Sequence, residues 1–370
     1  MSKNIVELPF TEIVERVSEL ARERVDVRSK IRAVVNDFYT REIPRKEDWS
    51  FFLVSSTLTL QQEYNTGTVS ATTGGTAATF SSGVSLSSSN TGMKLKILGN
   101  DYLYDVIFSQ TTSLTISPPF SGNVNAVGSN YDLTEPFYSL APDFDRFPKN
   151  GGLINYRGGS EEVIPEASYQ DWNSDYNTSP QDTPKMCRII GVDTAGNALL
   201  EVNPPPKIAK SLRYDYFIKP KVMRETTSGL IGNIGASGNT VTGDSNTQFT
   251  LANTGDYFRI NDFGIAGDSE WYRIIAINGN SSLTLQTAFG LSGATSAGYT
   301  ICSAPQMPAK MHPAILYGSL LQLCADQDDP MITSYNIKLA EVLSDGKRLY
   351  KTRIYNQEIG SLATEYLYRR

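Results

Sequence analysis

Histidine and cysteine are almost missing from this chain. Among 370 residues there is one histidine, His312, and there are three cysteines, Cys187, Cys302 and Cys324, far apart and odd in number. No Cys-x-x-Cys pair occurs, so neither a disulfide framework nor a zinc centre is expected. Transition-metal sites recruit several His or Cys together. Any Ser/His/Asp or Cys/His arrangement would have to use His312, and that residue stands directly before Pro313 and reads as the opening of a helix. Long apolar runs are missing too, since none reaches the ~18 residues that mark a membrane-spanning helix. The opening Met1-Ser2-Lys3-Asn4-Ile5 has no apolar stretch, so no signal peptide is expected. The formal glycosylation acceptors Asn177-Thr178-Ser179 and Asn280-Ser281-Ser282 then read as ordinary loop. Charge is scarce as well: 19% of residues, 33 basic against 39 acidic, for a net charge of −6. Tight nucleic-acid binding needs clustered Lys and Arg to neutralise phosphates. The chain as a whole suits a mildly acidic wall that DNA passes without sticking.

Gly, Ser, Thr and Asn fill the deficit, and they favour turns and exposed β surface. Alternating Val, Ile, Leu and Phe are retained, so the composition is not that of a disordered chain. The β-rich reading occurs twice, around 64–136 and again around 228–302. Asn90-Thr91-Gly92 matches Asn253-Thr254-Gly255, and Tyr104-Asp105-Val106-Ile107 matches Tyr272-Arg273-Ile274-Ile275. Ser113-Leu114-Thr115-Ile116 matches Ser282-Leu283-Thr284-Leu285, each followed by a Phe, Phe120 or Phe289. Tyr131-Asp132-Leu133 matches Tyr299-Thr300-Ile301. Internal repetition takes precedence over local reading, because missing it mistakes the fold. Each copy, of roughly 70 residues, suits about five to seven strands closed as a small sandwich or barrel.

Helical periodicity marks the ends of the chain. Phe10, Ile13, Val14, Val17 and Leu20 form one apolar stripe over 9–23, with Pro9 in the first turn. Val27, Ile31, Val34, Val35 and Phe38 form a second over 27–39, and the short connection predicts an antiparallel pair. Pro313 opens a helix carrying Leu316, Leu320 and Leu323. A further stripe of Ile332, Tyr335, Leu339, Val342 and Leu343 is read as ending at Gly346. An extended run begins at Trp49 and continues through Leu60 to the first β segment, and after that segment the prolines of 136–165 forbid a helix. Met186–Val192 and Ala198–Val202 form a hairpin, and Leu212–Ile218 alternates as a strand.

Few residues group in a way that suggests chemistry. Asp143 with Asp145, and Asp326 with Asp328 and Asp329, have spacings that can hold Mg²⁺ or Ca²⁺, yet they read as loop and helix–helix turn. Gly229, Gly232, Gly235 and Gly238 are followed by β sequence rather than the helix a nucleotide fold needs. No catalytic residue, metal ligand or cofactor site is assigned. The basic face of the second helix, Arg28, Lys30 and Arg32 with the preceding Arg22 and Arg24, offers a docking surface for an acidic partner or a DNA-facing rim. In the tail, Arg348, Tyr350, Arg353, Tyr355, Tyr366, Tyr368, Arg369 and Arg370 interleave the two residue types enriched at interface hot spots, which suggests a partner-binding arm.

With the β segments set aside, the order is helix pair, Trp-containing extended run, Pro-rich middle, strands with a Pro-Pro terminator, strand, helix pair and tail. Asp48-Trp49-Ser50-Phe51, Thr183-Pro184-Lys185-Met186-Cys187-Arg188, Leu200-Glu201-Val202-Asn203-Pro204-Pro205-Pro206, Tyr214 to Pro220 and Met307-Pro308 to Ala314 carry this order. Over a little more than half the chain it resembles the head-to-tail adaptor (connector, or head-completion) proteins of tailed bacteriophages. The resemblance implies an α+β fold, a helical adaptor frame with N- and C-terminal helix pairs and a small β core, formed by residues 1–63, 137–225 and 303–346. Two inserted β-sandwich or small β-barrel modules, 64–136 and 226–302, and a C-terminal arm, 347–370, complete it. It further implies a dodecameric homo-oligomer in the virion neck, assembled in the host cytoplasm. Such a ring stacks on the portal protein through the arm, meets a downstream tail or nozzle protein, surrounds passing DNA and contacts no membrane. Two other readings stay open: another tail component (tube, baseplate or fibre attachment), and a carbohydrate-active protein whose β modules bind glycans.

Overall fold

A computed structural model describes residues 7–21, 28–100, 102–157, 160–177, 179–226, 231–234, 238–261, 270–289, 297–324 and 330–351. The chain divides into two units. One joins Met1–Phe52 to Pro220–Arg370, and the other is Leu53–Lys219.

The first unit opens with α1 (Phe10–Leu20), which buries Phe10, Ile13, Val14 and Val17 on one face. Next comes α2 (Arg28–Asp37), which buries Ile31 and Val35. The helix then widens into a π turn, Phe38–Glu42, and continues as α3 (Ile43–Lys46).

The second unit begins with β1 (Leu53–Leu60). Seven strands follow: β2 (Val69–Ala71), β3 (Ala77–Phe80), β4 (Lys94–Ile97), β5 (Leu103–Ser109), β6 (Ser113–Ser117), β7 (Ala126–Ser129) and β8 (Tyr131–Thr134). They form one antiparallel sheet in the order β7-β2-β3-β6-β5-β4-β8. Only Asn130 separates β7 from β8, yet these strands lie at opposite edges of the order. The sheet must therefore curl, and it closes round one core that includes Leu95, Tyr104, Leu114, Ile116 and Leu133. The rest of this unit comprises β9 (Phe137–Ser139), β10 (Phe144–Arg146), β11 (Gly152–Arg157), β12 (Ser160–Pro165), α4 (Tyr169–Ser174), β13 (Met186–Val192), β14 (Ala198–Asn203) and β15 (Lys210–Ile218). A five-stranded sheet runs β1-β15-β11-β12 with β10 also on β15, and β13-β14-β9 form a three-stranded one.

Returning to the first unit, the chain makes β16 (Glu225–Thr226), β17 (Ile231–Ile234), β18 (Thr240–Gly243), β19 (Tyr257–Ile260), β20 (Tyr272–Gly279), β21 (Ser282–Leu285) and β22 (Tyr299–Cys302). Next come α5 (His312–Cys324) and α6 (Ile332–Tyr350). The second seven-stranded sheet runs β16-β22-β19-β20-β21-β18-β17. Six strands of each sheet thus share one order, β8-β4-β5-β6-β3-β2 against β22-β19-β20-β21-β18-β17. The seventh place is also shared in part, since Tyr64 bridges Leu133 where β16 pairs Ile301.

The sequence matches occupy matching places in the two sheets. Leu95 faces Leu133 and Tyr104, as Phe258 faces Ile301 and Tyr272. Leu114 faces Ala78, as Leu283 faces Val241. The ladder slips after Val106 in one sheet and after Ile274 in the other. The Phe120 amide donates to the Gly75 carbonyl at 2.8 Å, and the Phe289 amide to the Gly238 carbonyl at 2.8 Å. Each Phe then tilts against a Tyr, Tyr104–Phe120 at 5.8 Å and Tyr272–Phe289 at 5.5 Å between ring centroids.

The expected helical frame is overturned. Strands account for 36% of the described residues and helix for 26%. Among the described residues of 137–219, assigned to a frame with a small β core, the strands form two sheets and the one helix is the six-residue α4. Long-range pairing of β1 with β15, from Leu53↔Phe217 to Leu60↔Lys210, does this. It satisfies the backbone of the extended run, which a helical frame would leave unpaired. The β modules are likewise single curled sheets, not two-layer sandwiches. Gly346 does not end the last helix, which continues to Tyr350. A β-carbon at Gly346 would sit 2.3 Å from Met311 Sδ and 3.3 Å from Trp49, so the glycine provides space inside the helix.

Candidate functional site

Four helices of the first unit, α1 and α2 from early in the chain and α5 and α6 from late in it, form one cluster. α5 is apolar nearly all round and buries Ile315, Leu316, Leu320 and Leu323, as a helix surrounded by others must. At Gly318 it lies directly against the Phe38 ring.

His312 pins the first described residues to the start of α5. The Leu8 amide donates to Nδ1 at 2.8 Å, so Nε2 carries the proton and donates to the Met307 carbonyl at 3.1 Å. Burial pushes the imidazole below its ordinary value. The Met307 hydrogen bond and nearby Glu7 oppose this without overcoming it. The single histidine is a structural staple in its neutral form.

The end of α6 is fixed on Trp49, which is fully buried and donates from Nε1 to the Ile43 carbonyl at 2.8 Å. Lys351 makes an antiparallel bridge with Trp49, and Tyr350 meets the Phe51 ring edge-on at 5.9 Å. Lys351 and Lys347 both reach Glu47, at 3.1 and 3.5 Å. Burial pushes the Glu47 carboxyl up. Lys351, by hydrogen bond and charge, with Lys347 and the Asp48 amide, outweighs burial and holds it below the usual carboxylate range. Of the sequence-assigned arm, Arg348 and Tyr350 are therefore residues of α6. Arg348 is exposed beside Asp345 at 3.4 Å. Arg353, Tyr355, Tyr366, Tyr368, Arg369 and Arg370 lie outside the described residues, as do Arg22, Arg24, Asp326, Asp328 and Asp329.

The basic face of α2 meets acids of its own unit. Arg32 binds Glu225 at 2.7 Å, and Arg28 lies 3.7 Å from Glu15 and 3.9 Å from Glu225. Lys30 is exposed. Glu225 sits on β16, 193 residues from Arg32, and no sequence signal announced that pairing. Arg259 of β19 joins the same network through Glu15 at 2.9 Å and stacks on Trp271 at 4.3 Å.

In the second unit, Tyr216 donates to Asp143 at 2.8 Å, while Asp145 pairs with Arg146 at 2.7 Å. The two carboxylates thus have separate structural partners. Glu135 was missed in the sequence. Its carboxylate accepts the Phe137 amide at 3.1 Å, and burial pushes its pKa up to about 7 despite that hydrogen bond. Among the described residues, no group of three or more His, Cys, Asp or Glu is placed to hold a metal ion. No described helix is long and apolar enough to cross a membrane. No protein-family model matches the chain, and no curated protein or solved structure is significantly similar to it.

Proposed function

We propose that this chain is a structural subunit of a tailed-phage head-to-tail connector. It forms a homo-oligomeric, dodecameric ring below the portal, continues the DNA channel and accepts the next tail or nozzle protein. It assembles in the host cytoplasm and works in the virion neck, as a scaffold that needs no cofactor and converts no substrate.

The observation that carries this reading is the anchored end of α6. Trp49, Phe51 and Glu47 hold Tyr350, Lys347 and Lys351, so the polypeptide beyond starts from a fixed point on a helical cluster. A Tyr- and Arg-rich segment tethered at a fixed point presents itself to a neighbouring surface at high effective concentration. The two curled sheets, each with its own core, supply stiff modules for contacts with neighbouring tail parts.

Truncation after Lys351 tests the arm. The shortened chain should keep its circular dichroism and thermal midpoint and lose attachment to its portal in co-sedimentation. Attachment that survives the truncation refutes the arm.

A further inference from the structure

A cleft of about 940 Å³ opens on the first unit, between the segment after Pro220, the turn Asn253–Tyr257 and the segment after β22. Three cations line it: Lys221, Arg224 and Arg273. Among the described residues, none of the three has a carboxylate within 4.0 Å. The two sheets differ at the place of Arg273. In the first sheet, Lys94 faces Asp105 across β4 and β5, and the two form an ion pair. The same cross-strand places in the second sheet hold Tyr257 and Arg273. Where the first sheet has an acid the second has an arginine, and where it has the facing lysine the second has a tyrosine. The Arg224 backbone is held in place by Ser303, whose hydroxyl and amide both bind it.

The cleft is not simply basic. Glu7 and Asp256 also line it, and Val222 and Leu251 are 57% and 61% exposed at its wall. Burial pushes the Asp256 carboxyl up. Acids and exposed aliphatics disfavour a phosphate backbone, and they suit a peptide carrying both carboxylates and aliphatic side chains. The second unit displays such a peptide. Its hairpin β11–β12 ends the five-stranded sheet, with β12 at the edge. Glu161 and Glu162 are exposed there beside Val163, at 44%, and Tyr156, at 54%. Glu162 takes an amide hydrogen bond from Asn155 at 3.3 Å, and Glu161 lies 3.6 Å from Arg213.

We propose that the β11–β12 hairpin of one copy of this chain seats in the cationic cleft of a second copy. Glu161 and Glu162 meet Arg224 and Arg273, and Val163 meets Val222 and Leu251. The two surfaces differ, so the contact is head-to-tail, the type that closes into rings. The inference rests on the ring reading above and supplies its subunit interface.

Sedimentation of the full chain over a concentration series, at low and high salt, tests it. Wild type should self-associate, less strongly at high salt. R224E/R273E and E161R/E162R should each weaken association on the order of a hundredfold, because like charges then face each other. An equimolar mixture of the two should regain affinity, because each variant's hairpin then meets a cleft of opposite charge on the other. Carbodiimide cross-linking of isotopically light and heavy copies should join Lys221 to Glu161 or Glu162 between molecules. A wild type that stays monomeric at every concentration overturns the proposal, as does association unaltered in either variant. Rings that form on the portal with both variants would refute this contact and leave the connector reading standing. Self-association through this contact without any ring on the portal would refute the connector reading alone.

Discussion

Gly318 faces Phe38 so closely that a β-carbon on it would lie 1.9 Å from the ring's Cζ. The glycine lets α5 approach the π turn after α2, and helices from early and late in the sequence pack together there. Gly318→Ala should destabilise the first unit. Overpacking costs about 1–3 kcal/mol, and the better helix propensity of alanine returns only about 1 kcal/mol. Adding Phe38→Leu should recover part of the loss in chemical denaturation. A Gly318→Ala chain as stable as wild type contradicts the close packing.

His312 gives the first unit a pH dependence of definite sign. Its folded-state pKa lies below the ordinary 6.5. The stabilisation is therefore present above about pH 6.5 and is lost as pH falls through the folded value. Because the chain has one histidine, a single imidazole signal in NMR reports it directly. That signal should remain neutral with the proton on Nε2 below pH 6.5, where a free histidine charges. His312→Ala should lower stability by about 1–3 kcal/mol, since the buried Leu8 amide loses its acceptor, and should flatten the acid slope.

Glu135 acts in the opposite direction. Its carboxyl is raised from 4.5 to about 7, with burial as the cause. The contribution is full below about pH 4.5 and is lost as pH rises through 7. Glu135→Gln keeps an oxygen for the Phe137 amide and removes the charge. It should stabilise the second unit at pH 8, by up to a few kcal/mol, and have little effect at pH 4. Equal effects at both pH values contradict a buried acid.

Phe120 and Phe289 hold equivalent places in the two sheets, so truncating each should have parallel and local effects. Phe120→Ala and Phe289→Ala should each cost about 3–5 kcal/mol. Hydrogen exchange should show protection falling in the altered sheet and holding in the other. Loss of protection in both sheets from one substitution would contradict their separate cores.

The repeat was legible because its signals are local. Tyr104 and Tyr272, Leu114 and Leu283, Tyr131 and Tyr299 are buried members of period-two patterns, and turns with glycines at Gly92 and Gly255 punctuate them. The stripes of α1 and α2 were legible for the same reason. The balance of helix and sheet was not, because it depends on β1 finding β15 across more than half the second unit. α4 went unread: a single buried residue, Trp172, leaves no stripe, and the Ser168 side chain that caps it precedes only six helical residues. At Gly346 a glycine near a helix end imitated a stop, while its real cause, the sulfur of Met311, lies far away in sequence. The α2 face looked like a free basic patch because Glu225 cannot be placed beside Arg32 without the fold. The cleft was invisible too, since exchanging Asp105 for Arg273 has meaning only once the two sheets are aligned strand by strand.

Electron microscopy of the full chain mixed with the portal of its own phage addresses the connector reading most directly. A closed ring with rotational symmetry should stack on the portal's lower face, its helical cluster toward the portal. Single molecules that neither close into a ring nor bind the portal would contradict it.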